Sequence, residues 1–125
     1  ADPAVALDQV ARETTALLAA GDARQVVLSG GLGTSGALVL SPSVGRIVVT
    51  ATGLGAPPRG SEYRCWVELD GSRRALGAMS WAGDVAWWAG DVALPADLPP
   101  GVVYGVSLVA EGSSAPGTVV LSGEL

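Results

Sequence analysis

Residues 62–80, EYRCWVELDGSRRALGAMS, decide how this chain folds. In the first half of this stretch, mainly apolar side chains alternate with mainly charged ones. A period of two is typical of a β-strand with two different faces. Asp70-Gly71 then separates this run from a second one, and Asp-Gly between two such runs is a strong signal for a β-hairpin. The stretch therefore predicts two antiparallel strands, 62–70 and 73–80. The first strand divides into a core-facing set, Tyr63, Cys65, Val67 and Leu69, and an opposite set, Glu62, Arg64, Trp66, Glu68 and Asp70.

Short runs with the same period lie on both sides of this hairpin. Turn-forming Gly, Pro, Asp and Ser separate them about every ten residues, which is typical of antiparallel sandwiches and barrels. No second helical pattern exists that could cross over between parallel strands. The chain is therefore predicted to be all-β: an antiparallel β-sandwich of Greek-key or Ig-like type with seven or eight strands. The predicted strands are 24–30, 36–41, 45–52, 62–70, 73–80, one or two within 84–94, 102–110 and 118–123.

Residues 4–20, AVALDQVARETTALLAA, carry the helical pattern of the chain. Their apolar positions recur with a period near 3.6, as on one face of an α-helix. Because this face is narrow and partly Ala, we expect a helix that rests on a sheet or against a partner. Residues 1–23 therefore form an N-terminal helix and lead-in, and residues 24–125 form the β-sandwich domain. The predicted face consists of Leu7, Val10, Thr14, Leu17 and Leu18.

A seven-residue repeat follows the hairpin, with WAGDVAW at 81–87 and WAGDVAL at 88–94. Seven is an odd number, so a strand through both copies would place equivalent residues on opposite faces. We expect the first copy to span a turn at its Gly-Asp and the second to leave a strand. The adjacent Trp87 and Trp88 should then point to opposite faces.

The composition excludes several functions. The 125 residues are 49% hydrophobic and 15% charged, with Gly 18 and Pro 8, which suits one domain of short strands and many turns. The chain has no His and one Cys, so the usual zinc sites and the Ser-His-Asp or Cys-His nucleophile systems cannot form within it. A net charge of −5, with seven basic residues that are all Arg, argues against a nucleic-acid partner. We predict no enzymatic activity, no cofactor and no metal.

Acidic and thiol side chains offer weak candidates for a site. Asp84, Asp91 and Asp97 could bind a hard cation such as Ca²⁺, but no EF-hand-like spacing is present, and Asp that forms turns explains them better. Cys65 occupies a core-facing position, where a free thiol behaves as a small apolar side chain rather than as a redox sensor.

The Trp residues are the stronger candidates for a binding surface. Trp66 shares its face with Arg64 and Glu68, and an exposed Trp beside charged groups can stack a sugar ring or anchor a protein partner. The alternative, which we favour, is that the N-terminal helix or a loop half-covers Trp66. The residues predicted to form a partner or ligand surface are Arg64, Trp66, Glu68 and Trp88.

The order of segments carries a family resemblance over roughly residues 5–125. A short helix leads into VVLSG (26–30), and SPSVGRIVVTATGL (41–54), EYRCWVELDGSRRALGAMSW (62–81) and YGVSLVAEGSSAPGTVVLSGEL (104–125) follow. The most specific elements are the Tyr-x-x-Trp of Tyr63–Trp66, Gly77-x-Met79 and the final Val-Leu-Ser-Gly of 120–123. In this order, the chain resembles the C-terminal extracytoplasmic domain of membrane-anchored actinobacterial anti-sigma factors, the anti-sigma-K-like group.

The resemblance implies a regulatory function at the cell membrane. The intact protein would have a cytoplasmic segment that holds an extracytoplasmic-function sigma factor, a single membrane helix, and this domain outside. Such proteins are inactivated by stepwise proteolysis, which frees the sigma factor for transcription. On the outer side the partner would be a site-1-type protease or a signal protein, and edge strands also allow a homodimer. The alternative hypothesis is a carbohydrate- or cell-wall-binding β-sandwich module that uses its Trp residues.

Overall fold

The computed structural model describes residues 3–31, 33–95, 101–113 and 117–124. These ranges contain one helix and nine strands, and the predicted all-β, sandwich-like fold is confirmed. No helix among these residues is long and apolar enough to cross a membrane. In chain order the elements are α1 Pro3–Leu18, β1 Arg24–Gly30, β2 Ser35–Ser41, β3 Arg46–Thr52, β4 Ser61–Leu69, β5 Ser72–Ala78, β6 Ser80–Ala82, β7 Val85–Asp91, β8 Val103–Ala110 and β9 Thr118–Glu124.

The predicted hairpin forms between β4 and β5. Leu69 pairs with Ser72, so Asp70 and Gly71 make a two-residue turn with φ values of 51° and 76°. Positive φ at both central residues defines a type I′ turn, whose twist matches the right-handed twist of the strands that it joins. Asp and Gly tolerate this conformation better than most residues, which explains why this dipeptide marks the turn.

The nine strands form one continuous antiparallel sheet with the order β5-β4-β8-β9-β1-β2-β3-β7-β6. Its two edge strands, β5 and β6, are consecutive in the chain, with only Met79 between them. The backbone N–H of Met79 donates to the carbonyl of Tyr63 in β4 at an N···O distance of 2.8 Å. The run 72–82 thus borders β4 first and β7 afterwards, and this folds the sheet back on itself. The predicted strand 73–80 is therefore two strands, β5 and β6, which bend at Met79.

The folded sheet has two layers, β5-β4-β8-β9 and β1-β2-β3-β7-β6, whose inner faces share one apolar core. Alternation decides which side chains enter it. On β3, Ile47 and Val49 face the core, whereas Val48 faces outward. The fully buried residues with the largest side chains include Tyr104, Leu28, Leu38, Leu40, Ile47 and Leu121.

Helix α1 lies on the outer face of β2, β3 and β7, so the expectation that it rests on a sheet is confirmed. The buried face is narrower than predicted, because Leu7 and Leu18 are exposed. Val10 and Leu17 are seven residues apart, close to two full turns, whereas Leu18 is rotated about 100° from Leu17. The cluster beneath the helix consists of Val10, Leu17, Val39 and Val48, with Trp87 and Ala89 packed against it.

Asp22 fastens the segment that connects α1 to β1. Its carboxylate accepts a hydrogen bond from Ser41 Oγ at 2.6 Å, and from the backbone N and Oγ of Ser43 at 2.7 and 2.8 Å. Ser41 is fully buried at the end of β2. The contacts therefore join the end of the helical region to the β2–β3 turn.

The pKa of Asp22 lies below its ordinary value of 3.8, because hydrogen bonds from Ser41 and then Ser43 stabilise the carboxylate. A lowered folded-state pKa contributes stability that is present above the unfolded-state value and is lost as the pH falls through the folded-state value. We expect Asp22→Asn to lower the Tm at pH 7 and to flatten the fall of Tm in acid. Thermal unfolding followed by circular dichroism from about pH 7 to pH 2 measures both effects. Asp8→Asn, at a surface acid that pairs with Arg12, is the control, and an unchanged acid slope in Asp22→Asn would contradict the prediction.

Candidate functional site

Trp66, the centre of the predicted ligand surface, is buried, with only 4% of the residue exposed. Its indole lies over Gly105 of β8, where an added Cβ would collide with the ring. Nε1 donates to Ser107 Oγ at 2.8 Å, and the Arg73 guanidinium carbon lies 3.9 Å from the ring centroid. Side chains of β5 and β8 therefore cover the ring, rather than α1 or a loop as expected. Trp66 is therefore covered, as favoured, but it has no face free to stack a sugar, which corrects its inclusion in the predicted ligand surface.

Arg64 and Glu68 lie on the same outer face of β4 as the buried indole. Arg64 Nη1 donates to the carbonyl of Ser113 at 2.6 Å, and its Nη2 lies 3.5 Å from Glu62 Oε2. Glu68 Oε2 lies 3.9 Å from Nη2 of Arg73, the residue that covers the indole. Arg64, Trp66 and Glu68 are thus neighbours. The charged groups of Arg64 and Glu68, however, form contacts within the domain.

Trp88 does not join that face. It lies on the inner side of β7 and packs against the core, with its ring against Gly77 of β5 and Gly90 of its own strand. It fills the space between β5 and β7, which are not hydrogen-bonded to each other. Trp87 points the other way, beneath α1, so the prediction of opposite faces is confirmed. The two copies of the repeat also differ as predicted, since the first spans the β6–β7 turn and the second ends β7.

The other candidates have structural explanations. No three acidic or Cys side chains among the described residues are grouped as metal ligands. Asp84 precedes β7 and Asp91 ends it, where Asp91 accepts a hydrogen bond from Arg46; Asp97 lies outside the described residues. Cys65 is buried, and burial raises the pKa of its thiol to about 12, which keeps it protonated and unreactive.

A surface depression that the sequence reasoning did not identify lies where the β3–β4 loop meets the β6–β7 hairpin. Its volume of about 540 Å³ falls within the range of roughly 300–1,000 Å³ for small-molecule sites. Trp81 borders it and is 38% exposed. The Trp81 ring packs against Tyr63 at a centroid distance of 6.1 Å and an angle of 60°. The depression is lined by Gly53, Gly55, Ala56, Pro57, Trp81, Gly83 and Asp84.

The β3–β4 loop forms one wall of this depression, and contacts to its backbone hold it in place. The Tyr63 hydroxyl donates to the carbonyl of Leu54 at 2.8 Å, and the Leu54 side chain packs against the core. Gly53 has a φ of 79° and lies so close to the carbonyl of Gly33 that no side chain would fit. Only Gly combines that backbone conformation with that approach at little cost. The loop is therefore placed by the same Tyr63 that orients Trp81.

The sequence contains only part of the signal for this site. Trp81 stands just before a Gly-Asp turn, and a Gly- and Pro-rich loop occupies residues 53–60. Nothing in their spacing brings the two segments together, because they become neighbours only through the sheet order β3-β7-β6.

Comparison of the chain with protein-family models, with curated proteins and with solved structures finds no match.

Because indole rings pack directly against Gly residues, a methyl group added at those Gly positions should lower the stability of the fold. We expect Gly105→Ala and Gly77→Ala each to lower the free energy of unfolding by about 1–3 kcal/mol, since each forces a packed indole to move. Gly31→Ala is the control, because none of the described residues beyond its chain neighbours lies within 4 Å of its added Cβ and its φ is not positive. Urea unfolding followed by Trp fluorescence measures the differences. Equal stability of Gly105→Ala and Gly31→Ala would contradict this packing of Trp against Gly.

Proposed function

We propose that this chain is the extracytoplasmic regulatory domain of a membrane-anchored anti-sigma factor, which controls an extracytoplasmic-function sigma factor through signal sensing and regulated proteolysis. The resemblance in segment order supports this proposal. The residues that carry the resemblance also have specific packing roles. Tyr63 anchors the β3–β4 loop, Trp66 covers Gly105, and Gly77 accommodates the indole of Trp88.

The observation that carries the proposal is the docking of α1 on the outside of the sheet. Val10 is 5% exposed and, with Leu17, enters a small apolar cluster separate from the main core. Arg46 of β3 donates to Glu13 of α1 and to Asp91 of β7, both at 2.9 Å. The helix is therefore attached at defined points. Its apolar contact with the sheet is much smaller than the core that holds the two layers together.

A helix attached in this way opens more readily than the sheet does. Segments with few buried apolar contacts unfold locally at a lower free-energy cost than the core. In an anti-sigma factor, the membrane tether would reach this domain at the N-terminal end of α1. Docked, the helix is a poor substrate, because a protease needs an extended segment. Undocked by a signal, it would become accessible to a site-1-type protease.

Substitutions on the two sides of α1 test the docking in the purified chain. Val10→Asp places a carboxylate in the cluster, whereas Val5→Asp makes the same change at a residue that is 64% exposed. Loss of one buried aliphatic side chain costs about 1.5–3 kcal/mol, so we expect trypsin to cleave at Arg12 roughly 10- to 100-fold faster in Val10→Asp. Val5→Asp should be cleaved at the wild-type rate. Circular dichroism of the sheet should be unchanged in both variants.

The same pair of variants in the natural, full-length gene tests the function. Val10→Asp should raise transcription from a sigma-dependent reporter without any stimulus, together with cleavage of the protein on immunoblots. Val5→Asp should remain repressed. The coding sequence upstream of Ala1 should encode a membrane helix and a sigma-binding segment, with a sigma-factor gene adjacent. Faster cleavage in vitro with an unchanged reporter, or an upstream sequence without these segments, would refute the proposal.

A further inference from the structure

Trp81 presents a fixed aromatic surface to solvent. It is more exposed than the other Trp residues, all four of which the structure describes. Its contact with the buried Tyr63 sets its orientation at the rim of the core. A ring that is already positioned loses little conformational entropy when a ligand packs against it.

The wall opposite Trp81 is formed by short side chains and backbone. Gly53, Gly55, Ala56 and Pro57 line it, so the peptide groups of the loop can approach a ligand closely. The hydrogen bond from Tyr63 to the carbonyl of Leu54 holds this wall in place. The cleft between loop and ring is therefore formed before any ligand enters.

Asp84 determines which ligands suit the cleft. It lies in the β6–β7 turn and is the one ionisable residue among the described residues that line the depression. An ionised carboxylate accepts hydrogen bonds and cannot donate them. The described lining contains no cationic side chain and the net charge is −5, so the site disfavours anions. A purely cationic ligand would be better held by several aromatic rings than by one.

We propose that this depression binds a neutral saccharide, with the apolar face of one pyranose ring against Trp81 and its hydroxyl groups donating to Asp84 and to loop carbonyls. This places the carbohydrate-binding hypothesis on Trp81 and Asp84 rather than on Trp66 and Trp88. The inference goes beyond the proposed regulatory function, since saccharide binding by the purified domain can succeed or fail without any sigma factor.

Isothermal titration of the purified chain with N,N′-diacetylchitobiose and with maltose tests the proposal. We expect saturable binding of at least one disaccharide, with a Kd on the order of 1 mM for so open a site. Trp81→Ala should weaken binding at least about tenfold, as expected of an anchor residue, and Trp81→Phe should retain part of it. Asp84→Asn should weaken binding several-fold, since an amide oxygen is a poorer acceptor than a carboxylate.

Asp70→Asn is the matched control for charge. Asp70 lies in the turn at the far end of β4, and Asn tolerates its φ of 51° at least as well. This variant removes the same charge as Asp84→Asn and should bind the disaccharide as the wild type does. Glucuronate and tetramethylammonium serve as charged probes and should bind more weakly than the neutral sugar. The proposal is overturned by an absence of saturable binding of both disaccharides, by undiminished binding in Trp81→Ala or Asp84→Asn, or by preference for either charged probe.

Discussion

The bend at Met79 is the constraint on which the rest of the structure depends. Its N–H bonds to the carbonyl of Tyr63, and the chain passes there from the side of β4 to the side of β7. One run of chain thereby supplies both edges of a nine-stranded sheet and folds that sheet around a single core. The bend also places Trp81 against Tyr63. Fold closure and the formation of the depression are therefore consequences of the same local geometry.

Packing of Trp against Gly explains how two of the four large indoles fit in a small domain. Trp66 lies over Gly105, and Trp88 lies between Gly77 and Gly90, so each ring occupies the space that a neighbouring side chain would need. Trp87 packs outward against the cluster beneath α1. Three of the rings are thus committed to holding elements together. Trp81 is the most exposed of the four rings.

The sequence predicted the features that depend on neighbours along the chain, and it missed those that depend on residues of other strands. The alternation in 62–70 and the positive φ values at Asp70-Gly71 depend on neighbours along the chain, so a period of two and an Asp-Gly dipeptide were sufficient. The burial of Trp66 depends on Gly105 and Arg73, which other strands supply. An outward position on β4 therefore did not mean an exposed one. The depression likewise required the sheet order, which alternation does not contain.

The β6–β7 hairpin connects the two surfaces that carry the functional proposals. Trp81 of this hairpin borders the depression, and Trp87 packs beneath α1. A molecule bound at Trp81 can shift the docking of α1 only to the extent that its affinity differs between the docked and undocked forms. Such a difference requires the hairpin to move when the helix leaves. Within the hairpin, β6 is the part suited to this, because it has three residues and β7 is its one partner among the described strands, whereas β7 pairs with β3 along its full length.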